Sequence, residues 1–194
     1  LRSEVVRRRR LEAELKELAA TDPLTGIANR RSFNEAMTEC LETADGNAPQ
    51  AALILFDIDD FKAINDHHGH PAGDMVLQSI ARNVSAHFGS GALFGRLGGE
   101  EFGVFLPDTP DEQACRIAED LRRLIEAGSY GIEAVPIKAT ASFGVATLSP
   151  PADTDRLIAL ADEALYAAKR HGRNRVECNC DDEHMLDTGN GSPG

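Results

Sequence analysis

This sequence predicts an α+β fold: an antiparallel central sheet of the ferredoxin-like split βαβ type, β-α-β-β-α-β in order, flanked by helices. Three observations lead there. Short apolar runs bounded by turn residues alternate with longer stretches whose apolar residues recur at helical spacing. Two of the runs, Leu93–Leu97 and Phe102–Leu106, are separated only by Gly98-Gly99-Glu100-Glu101, which reads as a hairpin. A length of 194 residues, 42% hydrophobic and 27% charged, suits one soluble domain with its own core.

The elements follow in chain order. Leu11, Leu15 and Leu18 fall at spacings of four and three, a short coiled-coil seam within Leu1–Leu18. Such a helix suits dimerisation below an upstream sensory domain, and a helix packed on its own domain is the alternative. Pro23 and Gly26 break it. A helix is expected over Arg30–Thr43, then a loop over Asp45–Pro49. Ala51–Asp57 is a buried strand ending in an acid, and a polar stretch runs on to Gly73. Leu77, Ile80, Ala81, Val84 and Phe88 make one face of a helix over Asp74–Phe88. After the hairpin come a helix over Asp111–Ala127, a strand-like stretch over Val135–Leu148 with a bulge at Gly144, and a helix over Asp153–Arg170. A short strand near Arg175–Glu177 closes the fold. The expected divisions are a helix over 1–20, a domain over 21–177 and a disordered acidic tail over 178–194.

The formal net charge of −12 argues against a general nucleic-acid binder, which needs a basic face. Any phosphate must be held by a few placed cations and by metal ions. No apolar run approaches the roughly 20 residues of a membrane span, and no signal peptide is visible, so the expected location is cytoplasmic. Cys40 and Cys115 sit at apolar helical positions and read as free thiols in a reducing compartment. Cys178, Cys180 and His184 are too few donors, on a polar tail, for a convincing metal site.

Four clusters carry chemistry. Alternation places Asp57 and Asp59 on one side of the strand end, where hard oxygens suit Mg²⁺ completed by substrate phosphates; a solvated acidic loop is the plainer reading. Glu100 and Glu101 at a hairpin tip could serve solubility alone, but the two glycines before them let a bulky ligand approach the backbone. Asn65 and Asp74 offer the donors and acceptors that read a guanine edge, although Asp74 equally fits a helix N-cap. Lys169 and Arg173, four residues apart, can hold phosphate oxygens or simply favour a helix C-terminus.

Together these clusters resemble the GGDEF family of diguanylate cyclases. The resemblance rests on DPLTGIANRRSF (Asp22–Phe33), FDIDDFKAINDHHGHPAGD (Phe56–Asp74), GRLGGEEF (Gly95–Phe102), SFGVA (Ser142–Ala146) and ADEALYAAKRHGRNRV (Ala161–Val176), and it spans about Thr21–Val176. The hairpin tip reads GGEEF, a variant of the family motif. The resemblance implies a nucleotidyl-cyclase, polymerase-palm-like fold and the condensation of two GTP into cyclic di-GMP, a bacterial second messenger, with release of two pyrophosphates. It implies two Mg²⁺ per site, with Mn²⁺ an acceptable substitute, and catalysis across a homodimer of GTP-loaded domains. Asp57, the Ile58 carbonyl, Glu100 and Glu101 are then metal ligands, and Glu100 is also the base for the ribose 3′-OH. Asn65 and Asp74 read guanine and His70 supports the pocket. Lys62, Lys169, Arg173 and the backbone at Asp60 and Phe61 hold phosphates.

One departure stands out. The RxxD product-inhibition site of many family members is missing, because Gly89, Ser90, Gly91 and Ala92 stand just before the hairpin. The rival reading is a catalytically silent module that binds GTP or cyclic di-GMP; retention of Asp57, Glu100, Glu101 and Lys169 favours the enzyme. Asp74 favours GTP over ATP, since adenine would leave that carboxylate unpaired.

Overall fold

The computed structural model describes residues 20–43, 50–88, 91–131, 136–149 and 153–180. The expected coiled-coil helix over Leu1–Leu18 and the tail beyond Cys180, His184 included, lie outside them. The strands are β1 (Ala28–Asn29), β2 (Ala51–Ile58), β3 (Leu93–Arg96), β4 (Glu101–Leu106), β5 (Ala141–Leu148) and β6 (Val176–Cys180). The helices are α1 (Arg30–Thr43), α2 (Phe61–His68), α3 (His70–Phe88), α4 (Asp111–Ala127) and α5 (Thr154–Arg170).

The six-stranded sheet has the order β1-β3-β4-β2-β5-β6. Its four middle strands are antiparallel, as the split βαβ pattern requires. The two edges differ: β1 runs parallel to β3 and β6 parallel to β5, so the sheet is mixed. β2 is central and buried along its whole length, which is why its sequence is apolar on both faces. Its parity sorts the core. Ala52, Ile54, Phe56 and Ile58 pack with the apolar stripes of α3 and α4. Leu53 and Leu55 pack with Phe33 and Met37 of α1 and with Leu157, Ala161 and Leu165 of α5. Phe56 stacks between Phe102 and Phe143, at centroid separations of 5.1 and 4.9 Å. These are its cross-strand partners in register.

Several expectations change. The polar stretch after β2 is helical, because Phe61 and Ile64 suffice to anchor two turns on the core. Gly69, at φ 84°, ends α2, and α3 begins at once with His70. Asp74 therefore lies inside α3 and is not its N-cap. The strand-like stretch shrinks to β5, with Ile137 making an isolated bridge to Tyr130. Gly144 is no bulge; it pairs in register with Leu55 and lies under the α5 backbone, where an added Cβ would meet Leu165 N and Ala161 O. β6 runs over Val176–Cys180, longer than the short strand expected near Arg175–Glu177. Cys115 and Cys178 form a disulfide between α4 and β6, which overturns both the free-thiol reading of Cys115 and any metal role for Cys178; Cys40 is a free thiol. Sequence spacing is blind to this pairing, since only the packing of α4 against β6 brings 115 and 178 together.

Candidate active site

The parity of β2 that buries Leu53 and Leu55 against α5 sends Asp57 to the same side. There Lys169, near the end of α5, places Nζ 2.9 Å from Asp57 Oδ2. Burial pushes the Asp57 carboxyl above the usual carboxylate range; Lys169 opposes this, and Glu100 and Glu101 add to it. Glu101 lies directly opposite Asp57 in the β2–β4 register. The Glu100 carbonyl accepts from Ile58 N at 3.2 Å, which ties the hairpin tip to the end of β2. The predicted ligands Asp57, Ile58, Glu100 and Glu101 thus converge on one end of the two central strands.

Two residues outside the expected set hold that tip. Arg96 donates from Nε to the carbonyls of Gly98 and Gly99, both at 3.1 Å, and from Nη2 to Gly99 O at 2.7 Å. Its Nη1 lies 3.0 and 3.2 Å from the two oxygens of Asp22. Asp22 also accepts from Thr25 N at 2.9 Å and Thr25 Oγ1 at 2.7 Å. Burial would raise the Asp22 pKa, but the bonds from Thr25 and Arg96 outweigh it and hold the carboxyl below its ordinary value. The turn before β1 is thereby latched to the hairpin.

The second region is the α2–α3 corner. Asp60 precedes α2 in a left-handed conformation, φ 51°, and its carbonyl accepts from Ala63 N and Ile64 N. The first amides of α2, from Phe61 on, follow the end of β2 after only two residues. The Phe61 side chain itself is core, so any substrate contact is through its backbone. Lys62 is exposed. Asn65 packs its Oδ1 against Gly73, in space an added Cβ would fill, and Asp74 follows as an exposed residue. His70 is exposed at the first position of α3. Arg173 places Nε 3.6 Å from Asp60 Oδ1, linking the loop after α5 to this corner.

Asp59 plays a part its spacing does not reveal. It is buried, with Oδ1 accepting from Ser142 Oγ at 2.6 Å and Oδ2 from Thr140 Oγ1 at 2.7 Å and Asn174 N at 3.0 Å. Its acceptors are committed to joining β5 and the loop after α5, so it is a brace beside the site. Among the described residues, no three His, Cys, Asp or Glu side chains are gathered as a metal cage. The donor set fits a hard divalent cation that keeps waters and takes substrate oxygens: carboxylates and a carbonyl, with one carboxylate buried.

A match to the family model for the diguanylate cyclase GGDEF domain covers residues 19–175. The chain belongs to the GGDEF family. The domain is 38% identical over 173 residues to diguanylate cyclase DgcM of Escherichia coli, covering 89% of this chain and 42% of that protein. It is 37% identical over 162 residues to diguanylate cyclase DgcP of Pseudomonas aeruginosa, covering 84% of this chain and 24% of that protein. The chain therefore spans less than half the length of these relatives. Among solved structures, the coiled coil and GGDEF domain of DgcB from Caulobacter crescentus in complex with c-di-GMP superposes with a TM-score of 0.84 at 30% identity, covering 91% of this chain and 94% of that one. The active GGEEF domain of a diguanylate cyclase from Vibrio cholerae gives 0.71 at 33% identity, covering 78% and 96%. GGDEF cyclases as a class use metal ions, which agrees with the oxygen donors at the end of β2. Among the described residues of this GGDEF domain, no helix is long and apolar enough to cross a membrane.

Proposed function

We propose that this chain is an active diguanylate cyclase of the GGEEF type, condensing two GTP into cyclic di-GMP and two pyrophosphates. The observation that carries the reading is the convergence of Asp57, Glu100 and Glu101 at the glycine hairpin, with Lys169 set against Asp57. Magnesium is the expected ion, two per site, with manganese as a substitute. Asp57, Glu100, Glu101 and the Ile58 carbonyl would hold it. Bound there, the cation would make the ribose 3′-OH more acidic and offset charge on the phosphates.

This chain's own residues do the rest. Asp74 and Asn65 take the guanine N1–H and exocyclic amine, with His70 supporting the pocket. Lys62, Lys169, Arg173 and the amides after Asp60 hold the triphosphate. Glu100 accepts the proton of the 3′-OH as that oxygen attacks the α-phosphorus of the other GTP, and pyrophosphate leaves. Each domain holds one GTP, so two domains must face each other, and the N-terminal helix would raise their effective concentration. Cytoplasmic GTP supplies the substrate.

GTP turnover at high and low protein concentration, with products read by mass spectrometry and Glu100→Ala alongside, tests this. Cyclic di-GMP from the parent alone, at a specific activity that rises with concentration, is expected. GTP binding without product would leave a silent nucleotide-binding module. With Gly89 and Ala92 in place of the inhibitory Arg and Asp, added cyclic di-GMP should leave turnover nearly unchanged.

A further inference from the structure

The loop between α5 and β6 carries three successive residues in left-handed backbone conformations. Gly172 has φ 114°, Arg173 φ 62° and Asn174 φ 44°. Glycine accepts this freely, whereas an arginine does not and asparagine is only tolerant. Such a run persists where its surroundings hold it.

The surroundings are unusually complete. Arg173 N donates to Ala168 O at 3.0 Å and Phe143 N to Arg175 O at 2.8 Å, pinning the two ends. Asn174 holds the middle at three points. Its backbone N donates to Asp59 Oδ2 at 3.0 Å. Its Oδ1 accepts from Arg122 Nη1 at 2.8 Å, and its Nδ2 donates to Glu126 Oε1 at 2.8 Å. Arg122 is itself fixed on α4 by Glu119, at 2.8 and 2.9 Å, and by Glu126 at 2.8 Å. Asn174 and Arg122 hold the Glu126 carboxyl below its ordinary value, and Arg122 with Arg123 brings Glu119 down to about 2. The amide thus reads two opposite charges at once: its oxygen meets a guanidinium and its nitrogen a carboxylate.

We propose that Asn174 is a positioning residue for triphosphate binding, locking the backbone of Arg173 so that its guanidinium faces the Asp60 corner. The proposal rests on the reading above that Arg173 holds phosphate. The Asn174 side chain is bonded to Arg122 and Glu126 of α4, whereas Arg173 is the residue that reaches Asp60, so the effect of Asn174 on nucleotide passes through Arg173. Asp59 completes the lock from the β2 side, and the carboxylate beside the metal ligands thereby also sets the cation that meets the phosphates.

Asn174→Gly separates this role from mere tolerance of a left-handed backbone, which glycine meets better. Binding of 3′-deoxy-GTP, which cannot condense, and of GMP is measured with Mg²⁺ on the full chain. Asn174→Gly should weaken 3′-deoxy-GTP about tenfold, as for loss of one charge-assisted bond, and leave GMP within about twofold. Arg173→Ala should lose as much, and the double variant no more. Glu126→Ala, an exposed change on α4 that leaves the loop sequence intact, should weaken 3′-deoxy-GTP in the same direction without moving GMP. Parent-like 3′-deoxy-GTP binding by Asn174→Gly, while Arg173→Ala is impaired, would overturn the proposal. So would equal loss of both nucleotides in Asn174→Gly and Glu126→Ala, which marks general loosening. If Arg173→Ala itself binds 3′-deoxy-GTP like the parent, the phosphate role of Arg173 fails, and the positioning role with it.

Discussion

Lys169 Nζ sits 2.9 Å from Asp57 Oδ2, joining the last turn of α5 to the end of the central strand β2. The carboxylate side chain is 12% exposed and the lysine 36%. The contact sets a cation against the one metal-ligand candidate whose charge burial disfavours most. Lys169→Met should lower metal-free stability by ~1–2 kcal/mol, less than for a fully buried pair because the lysine reaches solvent. It should cut turnover by about 100-fold if Lys169 also meets the phosphates. Thermal melts with and without Mg²⁺ check the first part, since magnesium should recover more stability in the variant than in the parent. An unchanged metal-free melt would count against the charge-compensating role.

Gly144 lets α5 lie directly on β5. An added Cβ would run into Leu165 N and Ala161 O, both backbone atoms that cannot rotate away. Gly144→Ala should therefore destabilise the domain by ~3 kcal/mol or more and displace Lys169 from Asp57. Denaturant unfolding measures the first effect. Nucleotide binding by whatever fraction remains folded measures the second.

Asp22 supplies a pH-dependent part of the stability. Its carboxyl titrates below the unfolded value of 3.8, because the bonds from Thr25 and Arg96 outweigh the opposing effect of burial. Its contribution is complete above the unfolded pKa and is lost as pH falls through the lower folded value. Asp22→Asn should melt lower than the parent near neutral pH, and the gap should narrow in acid. A gap of constant size from about pH 6 down to about pH 3 would be inconsistent with this linkage.

The Cys115–Cys178 disulfide joins α4 to β6 across 63 residues of chain. Closing a loop of that size contributes about 2–4 kcal/mol. Reductant should lower the melting temperature of the parent and leave Cys115→Ser unmoved. Equal melts with and without reductant would show that the bond adds nothing to stability.

Much of the fold is legible in the sequence. Arg30–Thr43 and Asp111–Ala127 occupy the expected residues, because each has a continuous apolar stripe and a clear stop. The β3–β4 hairpin is legible for a different reason: two glycines between two short apolar runs mark a tight turn. The α2 helix was not legible. Its eight residues hold too few apolar positions to declare a period, and the core contacts of Phe61 and Ile64 supply what propensity lacks. The Arg96–Asp22 latch and the Asp59 brace are not legible in the sequence, because their partners lie 74, 81, 83 and 115 positions away.

The sequence alone carries the family and most of the helices and strands, though not β1 or α2. What it carries follows from local periodicity and from motifs whose spacing is short. Folding settles what the spacing of the acids leaves open: which of them stands beside a cation and which is enclosed as a brace. Asp57 and Asp59 stand two positions apart with the same chemistry. One faces Lys169 at the open end of the sheet, while the other is enclosed by Thr140, Ser142 and the Asn174 amide. A carboxylate's role depends on which donors the fold brings to it, and those donors come from distant parts of the chain.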